Sequence, residues 1–185
     1  PFIKQKDISE FTKKFIEPVI NHLKLKSIFF SGIFYAGLII SQDGPKLLEI
    51  NVRFGDPEAQ AILPRLKTDL LNLLFAASTG KLNQFKKLEW DDSLCINVVM
   101  ASKGYPKTYK KNTIINGLNK ISDNKSEYIF HSSTKKNNDQ WLAAGGRVIS
   151  ISALGSTLKI AKDNAYNVIK KIDWKNSYYR KDIGW

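Results

Sequence analysis

The 185-residue chain is 43% hydrophobic and 25% charged, which excludes collagen-like, mucin-like and wholly disordered classes; at this length roughly 70% of the unfolded surface can be buried, enough for one large domain or two small ones. Its net charge of +12 comes from 29 Lys and Arg against 17 Asp and Glu. That excess is nearly all lysine, scattered in pairs such as Lys13-Lys14, Lys86-Lys87 and Lys170-Lys171, with arginine only at Arg53, Arg65, Arg147 and Arg180, so it fits a solvated surface better than a nucleic-acid stripe built on arginine's bidentate fork.

The first predicted element is an amphipathic helix, with Ile8, Phe11, Phe15, Val19, Ile20 and Leu23 recurring at three and four residues and Asp7 as its N-cap. Two strand-like runs follow, Ser31 to Ser41 and Lys46 to Phe54, joined by Gln42-Asp43-Gly44-Pro45, whose Asp-Gly step suits a hairpin turn. Asp56-Pro57-Glu58 reads as a helix start, with Asp at the N-cap, Pro in the first helical position and Glu in the first turn. A further helix is expected from Thr68 to Ser78, ending at Gly80, and the polar stretch from Gly80 to Asp92 is the expected domain boundary.

Beyond it the pattern is mostly strand. Ser93 to Ala101, Tyr128 to Ser132 and a long run from Trp141 to Leu154 broken by Gly145-Gly146 are the apolar segments. Lys103 to Lys125, rich in Lys, Asn, Gly and Pro, reads as turns and edges with a short strand at Thr113 to Ile115. Ser156 is expected to cap a helix whose stripe is Leu158, Ala161, Ala165, Val168, Ile169 and Ile172, before a tail of turns or short strand from Trp174 to Trp185. Gly145-Gly146 lacks the spacing of a phosphate loop and reads as a strand bulge. The single Cys95 allows no intramolecular disulfide, reads as core, and points to a reducing compartment; the expected localisation is cytoplasmic. The longest apolar run, Ile33 to Ile40, is strand-sized, so neither a membrane span nor a signal peptide is expected.

The chemistry-bearing stretch is Glu49-Ile50-Asn51-Val52-Arg53-Phe54-Gly55-Asp56-Pro57-Glu58. Side chains alternate along a strand, so Glu49, Asn51 and Arg53 project to one face about 7 Å apart, with Leu48, Ile50 and Val52 on the other. A carboxylate beside an amide oxygen is hard-oxygen ligation suited to Mg²⁺, which fills its octahedron with water and substrate phosphates, and an arginine one step on can reach a phosphoryl oxygen. A solvent-facing strand with a fortuitous Glu/Arg neighbourhood has the same alternation. The helix start that follows offers backbone N–H groups to an anion. His131 reads as a structural histidine and His22 as surface; Arg147 and Arg180 are long enough to reach a ribose phosphate, though ion pairs are their commoner use.

Gly32-Ile33-Phe34-Tyr35-Ala36-Gly37-Leu38 followed by Glu49 to Glu58 resembles the C-terminal half of phosphoribosylamine-glycine ligase (glycinamide ribonucleotide synthetase), a purine-biosynthesis member of the ATP-grasp superfamily. The resemblance runs from about Phe15 onward through Val98-Val99-Met100-Ala101-Ser102-Lys103-Gly104-Tyr105-Pro106, Phe130-His131, Gly145-Gly146-Arg147-Val148 and Tyr179-Arg180-Lys181-Asp182-Ile183-Gly184-Trp185, in the family's order. Ile50 and Val52 stand where the family often has Phe and Cys, on the apolar side. Lys107 replaces a usual Gly, and Ser132-Ser133 replace Ala-Gly after His131.

The resemblance implies an α+β chain: residues 1–85 as the C-terminal portion of an ATP-grasp domain and 86–185 as a small β-rich C-terminal domain. It implies a ligase that joins 5-phosphoribosylamine to glycine with ATP, releasing ADP and phosphate through glycyl phosphate. Glu49 and Asn51 then hold Mg²⁺ or Mn²⁺ between the ATP phosphates, and Arg53 stabilises the transferring phosphoryl group. Asp56 and Glu58 help to position the amine or glycine, with a helix-cap role left open. The expected partners are these substrates and the remainder of the ligase chain, with no nucleic acid and no membrane. Lacking a glycine-rich lid and an N-terminal doubly wound domain, the segment alone is expected not to turn over. Two alternatives stand beside this reading: another ATP-grasp carboxylate-amine ligase, and a non-catalytic basic module that binds nucleic acid.

Overall fold

The computed structural model describes residues 3–121 and 125–185. The expected turn-and-edge stretch from Lys103 to Lys125 includes 122–124, which lie outside the described residues. The chain divides into two compact units, Pro1–Gly55 with Asp69–Lys87, and Asp56–Thr68 with Leu88–Trp185.

The first unit opens with α1 (Gln5–Phe11) and α2 (Glu17–Leu25), joined without a break by a wider π-type turn at Thr12–Ile16. The N-cap is Lys4, not Asp7: Asp7 lies inside the first turn, where its carboxylate accepts from the Lys4 backbone N–H at 2.7 Å. An acid there suits the positive end of the helix as well as a cap would. The hairpin forms as expected but with a tighter turn. Strands β1 (Tyr35–Ser41) and β2 (Gly44–Asn51) pair antiparallel through a two-residue connection, Ser41 opposite Gly44. Gly44 sits at φ +96°, a conformation glycine adopts without a Cβ penalty. Helix α3 (Ala59–Ile62) belongs to the second unit, and the first is completed by α4 (Leu70–Ser78), capped by Asp69, whose carboxylate accepts from Asn72 N–H at 2.7 Å.

The second unit carries the hydrophobic core. Strands β3 (Leu94–Ser102), β4 (Thr113–Ile115), β5 (Glu127–His131), β6 (Thr134–Asn137), β7 (Gln140–Ala143), β8 (Arg147–Gly155) and β9 (Ser177–Tyr178) form two sheets, ordered β5-β8-β3-β9 and β4-β7-β6. Every pairing in them is antiparallel. The run read as one segment from Trp141 to Leu154 is thus two strands in different sheets. Gly145-Gly146 is the crossing point, not a bulge: a Cβ on Gly145 would stand 2.6 Å from Ser133 Cβ, and one on Gly146 would strike the Tyr105 ring. Strand β6, Thr-Lys-Lys-Asn, carries no apolar pattern and was absent from the sequence expectation.

Helix α5 (Leu158–Lys170) is capped by Thr157, one residue after the expected Ser156; Thr157 Oγ1 accepts from Ile160 N–H at 3.2 Å. Its Ala161, Ala165, Val168 and Ile169 are buried with Ile96, Val98, Met100, Ile149, Ile151 and Ala153 of β3 and β8. Alternation along these strands therefore sends one face to α5. The opposite face is polar in part: Asn97 and Ser152 stand directly across from one another and serve α3.

Candidate functional site

Glu49 and Asn51 lie on β2, and the ladder places them directly opposite Gly37 and Tyr35 of β1. Directly opposed residues of an antiparallel pair project to the same face, so these four form one patch. A Cβ on Gly37 would come within 3.0 Å of Glu49 Cγ and 3.5 Å of the Tyr35 ring. The absent side chain at Gly37 is the space in which the Glu49 stem lies. Tyr35 and Gly37 were not among the expected site residues; only the pairing register reveals them.

The register also corrects the expected strand. Gly37 pairs with Glu49 but Leu38 with Leu47, leaving Leu48 as an extra, bulged residue. Strand β2 ends at Asn51, so Arg53 lies beyond it and strand alternation no longer fixes its direction. Its guanidinium is exposed and donates Nη1 to the neighbouring Phe54 carbonyl at 2.8 Å, a weak local tether for a side chain free to turn toward an anion. The other side of the hairpin is bare: Leu48 is 67% and Val52 70% exposed.

Among the described residues no ion pair or side-chain hydrogen bond engages Glu49 or Asn51, and no group of three or more His, Cys, Asp or Glu converges on a point. A self-sufficient metal cage of those residues is therefore not formed there. One carboxylate and one amide oxygen on a shared, open face fit a divalent cation that draws its remaining ligands from water and phosphate, as Mg²⁺ does.

Asp56 and Glu58 belong to the second unit, whereas Glu49, Asn51 and Arg53 belong to the first. The helix they were expected to start begins only at Ala59, with Glu58 as N-cap and without a side-chain cap. Asp56 and Pro57, joined by a cis peptide, lie in the turn before it. The Asp56 carboxylate, instead of capping, is taken by Arg147: Nη2 donates to Oδ2 at 2.8 Å and Nη1 to the Asp56 carbonyl at 2.9 Å, while Gln60 Nε2 reaches Oδ1 at 3.3 Å. Further along, Asn97 Nδ2 donates to Pro57 O at 3.2 Å, and Ser152 Oγ lies 2.6 Å from Gln60 O and 3.0 Å from Asn97 Oδ1.

The remaining singled-out residues have structural settings. Arg180 pairs with Asp182 at 2.6 Å, which holds the Asp182 carboxyl below its usual range chiefly through that hydrogen bond. His131 Nδ1 lies 2.9 Å from Thr134 Oγ1 with its ring 4.6 Å from Trp141, and burial lowers its pKa. Cys95 is only partly buried, yet desolvation pushes its thiol up to about 11.

Comparison with known proteins matches residues 95–185 to the phosphoribosylglycinamide synthetase C domain and residues 1–59 to the ATP-grasp (A) domain of the same synthetase. The phosphoribosylamine–glycine ligase of Caldanaerobacter subterraneus subsp. tengcongensis is 45% identical over 99% of this chain and 43% of its own length. That of Rhizobium meliloti is 43% identical over 100% of this chain and 43% of its own. The trifunctional purine biosynthetic protein adenosine-3 of Chironomus tentans is 40% identical over 100% of this chain and 14% of its own. The chain thus spans less than half the length of these relatives. A crystal structure of phosphoribosylamine–glycine ligase from Thermotoga maritima superposes with a TM-score of 0.77 at 24% identity, covering 94% of this chain and 42% of that one, and shows the shared fold.

Proposed function

The chain belongs to the phosphoribosylglycinamide synthetase family, and from that premise we propose that it forms the C-terminal part of an ATP-dependent ligase joining 5-phosphoribosylamine to glycine in purine biosynthesis. The fold is that of the end of an ATP-grasp domain followed by a small β-rich domain. In chain order we assign residues 1–85 to the first and 86–185 to the second, although Asp56–Thr68 packs in the same compact unit as Leu88–Trp185. The parent enzyme transfers the γ-phosphoryl group of ATP to the glycine carboxylate, leaving ADP and glycyl phosphate, and attack of the amine on the acyl carbon then expels phosphate. We place the parent enzyme in the cytoplasm, in keeping with the relatives' biosynthetic names; among the described residues no helix is long and apolar enough to cross a membrane.

The observation that carries the site assignment is the shared face of Glu49 and Asn51 opposite Gly37 and Tyr35. Glu49 and Asn51 would hold the divalent cation, Mg²⁺ or Mn²⁺; bound there, it neutralises phosphate charge and orients the nucleotide. Arg53 directs its guanidinium to the transferring phosphoryl group, where charge develops. Asp56 offers a carboxylate to the amine of glycine or phosphoribosylamine, and Glu58 helps to position the same substrate. The bare hairpin face accords with a segment that completes its packing within a longer polypeptide.

The test is ADP release by the full-length ligase that carries this segment. Turnover that requires glycine, phosphoribosylamine and Mg²⁺ together supports the reading. Turnover with a different carboxylate or amine would reassign the substrates and leave the ATP-grasp assignment in place. ATP-independent binding to RNA whose affinity falls steeply with salt would favour the basic-module alternative instead.

A further inference from the structure

Strands β3 and β8 pair with one irregularity. Met100 stands opposite Ile149 but Ala101 stands opposite Arg147, so Val148 is an extra residue on β8. A bulge of this kind reverses the phase of everything beyond it, because side chains alternate with a period of two. Ile149, Ile151 and Ala153 all join the core against α5, and an unbroken strand would put Arg147 on that same apolar side. The bulge instead sets Arg147 across from Ala101, on the face shared by Asn97 and Ser152.

On that face three side chains grip one short segment of backbone. Ser152 and Asn97 hold the carbonyls of Gln60 and Pro57. Arg147 holds the Asp56 carbonyl and carboxylate at once, one nitrogen to each. A forked guanidinium with two parallel donors fixes both the position of a residue and the direction of its carboxylate, which a single ammonium cannot do. Arg147 engages Oδ2, while among the described residues Oδ1 keeps only the 3.3 Å contact from Gln60. Oδ1 therefore retains lone pairs for a further donor.

We propose that Arg147, re-aimed by the Val148 bulge, is a positioning residue for the amine-bearing substrate: it orients Asp56 so that Oδ1 receives an N–H of glycine or phosphoribosylamine. This rests on the ligase reading above and on Asp56 contacting substrate. Arg147 touches no substrate itself and acts through Asp56.

The experiment is steady-state kinetics of the full-length ligase with Arg147→Gln, Arg147→Lys, Asp56→Asn and the Arg147→Gln/Asp56→Asn pair, with melting curves for each. Arg147→Gln is expected to raise KM for one amine-bearing substrate about tenfold or more, with kcat and the KM for ATP within about twofold of wild type. Arg147→Lys should recover part of that loss, and the pair should be no worse than the poorer single variant, since both act on one contact. A wild-type enzyme active on glycine and phosphoribosylamine whose Arg147→Gln and Arg147→Lys variants keep both amine KM values would overturn the proposal. So would losses spread equally over kcat, ATP and amine that follow the fall in melting temperature, because they mark a structural ion pair. A wild-type enzyme inactive on these two substrates would instead overturn the ligase reading on which it rests.

Discussion

Gly37 and Glu49 face each other across the β1–β2 ladder, and a Cβ on the glycine would stand 3.0 Å from Glu49 Cγ. That separation is tighter than most side-chain carbons adopt, so the glutamate stem has to shift by a few tenths of an ångström. Gly37→Val in the full-length ligase is expected to displace the Glu49 carboxylate and raise the Mg²⁺ concentration for half-maximal turnover about tenfold, while the far-ultraviolet circular dichroism is unchanged. An unaltered Mg²⁺ titration would mean that the stem lies elsewhere during turnover.

Glu49→Gln tests the carboxylate directly. The side chain keeps its length and loses its charge, and it is exposed at a site with no described ion pair. Turnover should fall by roughly 100-fold or more, the scale seen when one electrostatic contact to a reacting group is removed, with a melting temperature within about 2 °C of wild type. Activity near that of wild type would remove Glu49 from the metal assignment.

Gly117 probes the second unit. It sits at φ +89°, and an added Cβ would strike the Lys171 carbonyl oxygen and lie 3.4 Å from Ile172 Cα. Both obstacles are backbone, held by reciprocal hydrogen bonds between Asn116 and Asp173 at 2.9 and 3.0 Å. Gly117→Ala should therefore cost about 2–4 kcal/mol in urea unfolding, whereas Gly80→Ala, at φ +68° in open space, should cost only about 1 kcal/mol.

Cys95 supplies a pH dependence. With its thiol raised to about 11 by desolvation, about a thousandth is ionised at pH 8, so iodoacetamide should modify the folded protein far more slowly than the urea-unfolded one. The folded state holds its proton more tightly than the unfolded state, whose thiol titrates near 9. The associated stability is whole below pH 9 and declines as pH rises from about 9 to 11. Cys95→Ala should flatten that decline in denaturation curves measured between pH 8 and 11; an unchanged slope would show that Cys95 is not its source.

The long second-unit strands and α5 were legible because their signals are local: apolar runs at Leu94–Ser102 and Arg147–Gly155, and a period near 3.6 from Leu158 to Ile172. Strand β6 was invisible because its Thr-Lys-Lys-Asn sequence has no apolar face of its own and is held by pairing to β7. Its partner selects the conformation, which is how tertiary context overrides weak strand propensity. Helix starts were placed within one to three residues, and each error has the same origin: Asp7, Asp56 and Ser156 are all acceptable caps, and the chain chose a neighbour at each place.

Sequence by itself determined what depends on near neighbours: the strand and helix segments, the hairpin around Asp43-Gly44, and Glu49 and Asn51 on one face, since alternation along two residues needs no partner. The motifs in one register also carried the family. Tertiary structure alone decided what depends on pairing. It set Tyr35 and Gly37 opposite the site, ended β2 before Arg53, and divided one apolar run between two sheets. It also turned Arg147 toward Asp56, a residue 91 positions away, by the single extra residue at Val148. Register is a property of two strands at once, and local propensities assign no energy to which residue stands across the ladder.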